Sequence, residues 1–149
     1  MTDYLEFSID KFTFRIATDR SYTEEGLWVK QEENRLQIGL SDFLQQRSGD
    51  VAFVEIKPAG SPVSRGDELI VLETIKVNIS LASPVTGKVR EVNPAMESSP
   101  EVINQDPYGS GWMLEIELVD LKTGLTGLLS PAAYFARITI ESEGEVKKD

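Results

Sequence analysis

One lysine near the middle of the chain has surroundings that suit chemistry at its amine. Lys76 lies in the segment 73–78, between the turn signals Gly66-Asp67 and Ser83-Pro84. The β-branched and aliphatic residues on both sides predict two strands, with the lysine at the tip of a tight hairpin. A ligase could acylate an exposed amine there and leave a flexible arm that reaches several partner sites. The alternative is an ordinary exposed lysine in a hairpin.

The rest of the chain lacks the usual catalytic side chains. It contains no cysteine and no histidine, which excludes disulfides, a thiolate nucleophile, Ser-His or Cys-His pairs and the usual zinc ligand sets. The adjacent carboxylates Glu24-Glu25 and Glu32-Glu33 are expected to be solvated, and no glycine-rich phosphate loop is present. We therefore predict that the chain is not an enzyme and that any reactive atoms belong to a prosthetic group.

Length and charge narrow the class further. A chain of 149 residues predicts one domain with a substantial core. The net charge of −10 and the pI near 4.5 disfavour nucleic acid and can steer the protein towards basic patches on other proteins. The N-terminus resembles no signal sequence, and no segment is long and apolar enough to span a bilayer. We expect a cytoplasmic monomer with no membrane partner.

Short apolar runs bounded by turn residues predict a small, mainly β sandwich or barrel with helices at its edges. The alternation over residues 7–17 predicts an early strand or a packed N-terminal extension, and residues 94–111 read as a long loop. A short helix is predicted over 42–47, with Ser41 as N-cap and Gly49 beyond its end. The other predicted strands span 28–30, 35–39, 51–56, 69–72, 77–81, 88–92 and 112–118; a C-terminal helix spans 130–137, and a charged, mobile tail covers 141–149.

Residues 22–136 resemble the H protein of the glycine cleavage system and its relatives. The resemblance implies a flattened β-barrel (a hammerhead, or barrel-sandwich hybrid) with a lipoyl-lysine hairpin, in a single carrier domain over 1–149 that includes an N-terminal extension at 1–21. It rests on Gly49-Asp50 followed by Val51-Ala52-Phe53-Val54-Glu55, on Glu73-x-x-Lys76, on Ser83-Pro84-Val85-Thr86-Gly87-Lys88-Val89, on Val92-Asn93-Pro94, and on Ser99-Pro100-Glu101-Val102-Ile103-Asn104 with Asp106-Pro107-Tyr108-Gly109-x-Gly111-Trp112.

The same resemblance implies lipoate, joined covalently to Lys76, as the cofactor. Biotinyl domains resemble Glu-Ala-Met-Lys-Met, whereas Ile75 and Val77 flank the lysine here, so biotin is the weaker choice. Glu73 is expected to shape the turn or to be read by the lipoate ligase. The 107–112 stretch is expected to be structural, with Trp112 in the core, although Tyr108 and Gly109 could rim a groove that shelters the arm.

Departures from the family pattern concern the partner more than the fold. The family shows His-Glu-Trp near its first strand, where this chain has Gly26-Leu27-Trp28, and Glu-Ser-Val-Lys-Ala-Ala at its lysine. These differences resemble the H-protein-like lipoate-binding proteins of the heterodisulfide-reductase-like sulfur-oxidation system. The first prediction is therefore a carrier of sulfur-bearing intermediates for that complex.

The alternative is the glycine cleavage H protein itself, carrying an aminomethyl group among the P, T and L proteins. Both carriers need a lipoate ligase or the lipoyl synthase machinery. A third possibility is a barrel-type binding module whose lysine stays unmodified.

Overall fold

A computed structural model describes residues 3–119 and 127–148, with side chains described up to residue 141. The strands are β1 (Tyr4–Ile9), β2 (Phe12–Ala17), β3 (Ser21–Tyr22), β4 (Leu27–Glu32), β5 (Arg35–Leu40), β6 (Val51–Ile56), β7 (Pro62–Val63), β8 (Glu68–Thr74), β9 (Asn78–Ala82), β10 (Gly87–Val92) and β11 (Leu114–Leu118). The helices are α1 (Asp42–Ser48), α2 (Ala95–Ser98), α3 (Val102–Gln105) and α4 (Pro131–Lys148).

Two sheets enclose the main core. One has the strand order β3-β4-β5-β11-β10-β7 and the other the order β6-β8-β9. Strands with one buried face alternate apolar and polar residues, as β11 does over Leu114–Leu118. The apolar faces of the two sheets meet in one cluster, which includes Leu36, Ile38, Ile70, Leu72 and Ile116. Because neither sheet closes on itself among the described strands, the architecture is the predicted flattened β-barrel with helices at its edges.

The N-terminal residues form a hairpin of their own. β1 and β2 pair antiparallel along their whole length, and the chain reverses at Asp10, whose φ is 53°. Aspartate tolerates this left-handed backbone better than most residues, so the alternation seen in the sequence is split into two strands instead of one. Phe14 stacks near Phe7 and meets Phe43 of α1 edge-on at 5.0 Å between ring centroids. The hairpin is thus packed against the barrel, as the extension was predicted to be.

The predicted long loop at 94–111 is wrong in part, because it contains α2 and α3. The Asn93 side chain organises it: its Oδ1 accepts from the Ala95 amide at 3.1 Å, and its Nδ2 donates to the carbonyl of Trp112 at 2.7 Å. Trp112 is only half-buried and borders the aromatic cluster, whereas Trp28 is fully buried. The prediction that Trp112 lies in the core is therefore wrong in degree.

The C-terminal helix is longer than the sequence predicted. Helix α4 continues to Lys148, where a helix over 130–137 and a charged, mobile tail over 141–149 were expected. Ile138 is buried against the aromatic cluster, and Arg137 lies 3.6 Å from Glu141 one turn later. Such i,i+4 pairs and helix-forming Glu and Lys favour continuation. Residue 149 and the predicted tail's mobility lie outside what the structure describes.

Candidate functional site

Lys76 lies at the tip of the hairpin formed by β8 and β9. Glu73 and Asn78 are the last paired residues, and the Thr74 amide donates to the Val77 carbonyl at 2.9 Å. The loop therefore consists of Ile75 and Lys76. Both are exposed, Ile75 with 73% of its surface accessible. Lys76 is thus an exposed residue at the tip of the β8–β9 hairpin.

The Thr74 hydroxyl holds this turn in shape. Its oxygen accepts from the amides of Lys76 at 3.2 Å and Val77 at 3.0 Å. The hydroxyl donates to the Ser48 carbonyl at 2.6 Å, which ties the turn to the end of α1. Neither loop residue has a positive φ, so the turn needs no glycine. Side-chain oxygens of Ser and Thr stabilise turns in this way.

The backbone at the end of α1 forms a platform under the lysine. Helix α1 starts at the predicted N-cap Ser41, whose Oγ accepts from the Leu44 amide at 3.1 Å. It ends at Gly49, which has a φ of 89°. A Cβ placed on Gly49 would lie 3.3 Å from Cδ of Lys76, so the aliphatic stem of the lysine lies directly against the glycine backbone. The Ile75 amide donates to the Asp50 carbonyl at 3.1 Å, which anchors the other loop residue.

Asn104 of α3 fixes this platform from below. Its Nδ2 donates to Oε1 of Gln45 at 3.0 Å and to the Gly49 carbonyl at 3.1 Å. Its Oδ1 accepts from the Val51 amide at 2.9 Å. One side chain therefore connects α1, the start of β6 and α3.

The roles of Thr74, Gly49 and Asn104 were not foreseen in the sequence. A threonine just before the two-residue loop is a usable local signal for a side-chain-stabilised turn. Gly49 was identified only as a helix stop. Asn104 gives no local signal, since its partners lie more than 50 residues away in the chain.

Glu73 lies beside the lysine turn. Its side chain is exposed, and in the part of the chain that the structure describes it makes no hydrogen bond or ion pair. Its neighbours in the sheet are Phe53 on β6 and Asn78 on β9. Both roles expected for Glu73, shaping the turn and being read by a ligase, stay predictions.

Tyr108 and Gly109, the predicted rim of a groove for the arm, are engaged elsewhere. The Tyr108 hydroxyl donates to the Arg15 carbonyl at 2.6 Å and accepts from the Asp42 amide at 3.2 Å. Burial raises the pKa of Tyr108 to about 12. Gly109 lies against the Asp106 carboxylate. Among the described residues, neither contacts the lysine turn, so the stretch has the structural role that was the main expectation.

The exposed lysine at this turn suits the attachment of a covalent arm. No group of three or more acidic side chains that could hold a metal ion is found within residues 3–119 and 127–141. No helix in the described part of the chain is long and apolar enough to cross a membrane. An accessible amine on a braced turn is what acylation by a ligase requires, and the glycine under its stem leaves the amine end unobstructed.

Comparisons with known proteins agree with this geometry. The family model described as "Glycine cleavage H-protein" matches residues 20–141. The glycine cleavage system H protein of Carboxydothermus hydrogenoformans is 40% identical over 130 residues, which are 87% of this chain and 98% of that protein. The one from an Anaeromyxobacter species is 42% identical over 121 residues, covering 81% and 94% of the two chains.

A crystal structure of the glycine cleavage system H protein from Mycobacterium marinum superposes with a TM-score of 0.75 at 28% identity. It covers 82% of this chain and 98% of that one. The family's proteins are carriers that hold lipoate covalently on a lysine and are not themselves enzymes. With both its sequence and its fold matched over this length, the chain belongs to the glycine cleavage H-protein family.

Proposed function

We propose that Lys76 is the lipoylated lysine and that the protein is the H-protein carrier of a glycine cleavage system. The observation that carries this proposal is the exposed Lys76 at a two-residue turn braced from below. The names of the similar proteins support the glycine cleavage branch. None of these relatives is named for sulfur oxidation, so the carrier of sulfur-bearing intermediates, which was the first prediction from sequence, is without support.

The residues around Lys76 define how the arm is presented. Lipoate supplies a cyclic disulfide, which a partner's thiolate can open by exchange. Thr74 and Gly49 fix the root of the lysine, so motion is confined to the side chain and whatever extends it. Ile75 and Val77 project beside it as exposed apolar contacts. With no cysteine in the chain, no internal thiol can trap the arm as a mixed disulfide.

The departure from the family pattern at Gly26-Leu27 has a structural explanation. Gly26 has a φ of 107°, and a Cβ there would lie 3.0 Å from Cβ of Leu44. Leu27 is fully buried in the main core. A histidine and a glutamate would not fit these positions without rearrangement, so this edge of the barrel differs in chemistry from the family pattern. Lipoate ligase and the P, T and L proteins are the proposed partners; a monomeric state and a cytoplasmic location stay predictions.

Replacing Lys76 by arginine tests the attachment site. Purified protein is incubated with a lipoate ligase, lipoate and ATP, and its intact mass and peptides are measured. Wild-type protein should gain one lipoyl increment on the peptide that contains Lys76, and Lys76→Arg should gain none. The free energy of unfolding of Lys76→Arg should differ from that of the wild type by no more than about 0.5 kcal/mol, because the site is exposed.

Lys57→Arg, at another exposed lysine, is the matched control and should be modified like the wild type. A wild-type protein that stays unmodified would leave only the binding-module alternative. Reconstitution of the lipoylated protein with P, T and L proteins, or with a heterodisulfide-reductase-like complex, then separates the two carrier branches by which system turns over.

A further inference from the structure

A groove of about 770 Å³ follows the outer edge of β6. Five consecutive residues of that strand, 52–56, line one wall. Successive side chains of a strand point to opposite faces, so only a groove that runs along the strand's edge can touch all five. β6 pairs with β8 on one side, and no described strand pairs with its other side. The groove therefore exposes a free strand edge.

The opposite wall cannot complete the sheet. It is formed by the end of β10 and by α2, with Pro94, Met96 and Pro100 among its residues. Proline has no amide hydrogen to donate to a strand. Phe53 projects into the groove with 51% of its surface exposed, and Met96 provides a buried apolar floor. The groove therefore fits an extended segment that pairs with β6 and inserts apolar side chains between Phe53 and Met96, as in β-strand addition.

The charges at the groove indicate which residues should flank the apolar part of such a segment. The charged residues that line it are Glu55 and Glu97, both exposed. Glu73 adds a third carboxylate, since it is paired in register with Phe53. The whole chain carries a net charge of −10. Lys or Arg residues in the incoming segment would complement this rim and raise the rate of encounter.

The groove lies along the strand that pairs with the first arm of the lysine hairpin. Val51 pairs with Thr74, and Phe53 pairs with Glu73, three residues before Lys76. A protein docked along β6 would therefore lie beside β8, the strand that leads into the lysine turn. Among the proposed partners, the ligase is the one that must reach the amine itself.

We infer that this groove is the docking site for an extended, Lys/Arg-flanked apolar segment of the lipoate ligase that acylates Lys76. The inference rests on the proposed function. It adds Phe53, Glu55 and Glu97 as residues that determine which ligase is accepted.

Steady-state lipoylation by a purified ligase tests the inference with two groove variants. Phe53→Ser removes the apolar contact, and the double variant Glu55→Lys/Glu97→Lys reverses the rim. Each should raise the KM for the carrier about tenfold, as loss of an interface anchor does, with kcat little changed. Phe12→Ser is the matched control, since Phe12 is 44% exposed on β2. Glu6→Lys/Glu32→Lys alters net charge equally at exposed positions that do not line the groove, and both controls should behave like the wild type.

Photo-crosslinking gives a readout that does not depend on activity. A photoreactive phenylalanine analogue at position 53 should crosslink to an extended, basic segment of the ligase, and the same group at position 12 should not. Circular dichroism verifies that each variant is folded. If Phe53→Ser is unstable, the KM of Glu55→Lys/Glu97→Lys provides the test.

Three results would overturn the inference: unchanged KM in the folded groove variants, crosslinks to a second copy of the chain, or an effect confined to the P, T or L reactions. A wild-type chain that the ligase leaves unmodified would instead contradict the proposed function. Equal lipoylation of wild type and groove variants would contradict only the docking site.

Discussion

At the scale of single residues, Thr74 performs a task that glycine or asparagine performs in many hairpins. Two-residue loops usually rely on positive φ angles at the loop positions. Here the loop residues keep negative φ, and the Thr74 hydroxyl accepts from the two amides that the loop would otherwise leave without partners. The same hydroxyl donates to Ser48. One oxygen atom therefore satisfies both loop amides and ties the turn to the end of α1.

Thr74→Val removes that oxygen at nearly constant volume. We expect a loss of about 1–2 kcal/mol in the free energy of unfolding, because the loop amides lose their acceptor. Amide hydrogen exchange at Lys76 and Val77 should speed up, and ligase kcat/KM should fall several-fold. Thr74→Ser, which keeps the hydroxyl, should restore both readouts.

Ser80→Ala provides the control, since it deletes a 2.6 Å hydrogen bond to Glu68 in the same hairpin. Equal effects of Thr74→Val and Ser80→Ala on exchange at Lys76 would mean that the Thr74 oxygen has no special role.

At the scale of elements, the site depends on how α1, α3 and β6 meet. The end of α1 supplies Ser48 and Gly49, and α3 supplies Asn104, whose side chain bonds across all three elements. This junction fixes the position of the Gly49 backbone against the lysine stem. A shift of α3 would therefore be transmitted to the lysine turn.

Asn104→Ala should lower the free energy of unfolding by about 1–3 kcal/mol, because the Val51 amide and the Gly49 carbonyl lose their partner in a part-buried place. Chemical denaturation measures the loss, and amide exchange at Ile75 should increase because its acceptor, Asp50, adjoins Gly49. Asn78→Ala, at an exposed position of the β8–β9 hairpin, is the control and should change the free energy of unfolding little. If exchange at Ile75 stays at the wild-type rate in Asn104→Ala, the junction does not support the turn.

At the scale of the whole molecule, the N-terminal hairpin is joined to the barrel through aromatic contacts. Phe14 meets Phe43 of α1, and Phe7 meets Phe135 of α4 edge-on at 6.1 Å between ring centroids. The Gln46 side chain also donates to the Thr13 carbonyl at 2.9 Å. The hairpin thus packs against α1 and α4, and we propose that the chain unfolds as one domain.

Phe14→Ala tests whether the N-terminal hairpin and the barrel unfold together. Phe14 is only 5% exposed, so its truncation should cost about 3 kcal/mol and shift a single cooperative unfolding transition. Phe12→Ala, at a ring that is 44% exposed, should cost less than about 1 kcal/mol. Two separate transitions, with the barrel's own midpoint unchanged by Phe14→Ala, would show instead that the hairpin folds independently.

Local patterns in the sequence predicted most of the secondary structure. Apolar runs between turn residues located β4, β5, β6, β8, β9 and β10, and Ser41 with Gly49 bounded α1. The errors arose where distant contacts overrule local signals. Asn93 and its partners fold part of a proline-rich loop into short helices, and the burial of Ile138 supports helix beyond residue 137.

Strand pattern, turn residues and composition are local properties, and they were enough to predict a lysine at a hairpin tip in a chain without cysteine or histidine. The surroundings of that lysine follow from the tertiary fold alone. Gly49 lies under its stem, Asn104 holds the platform, and the free edge of β6 opens a groove beside it. These features join residues far apart in the chain, and no local pattern encodes which of them meet when the two sheets close over their common core.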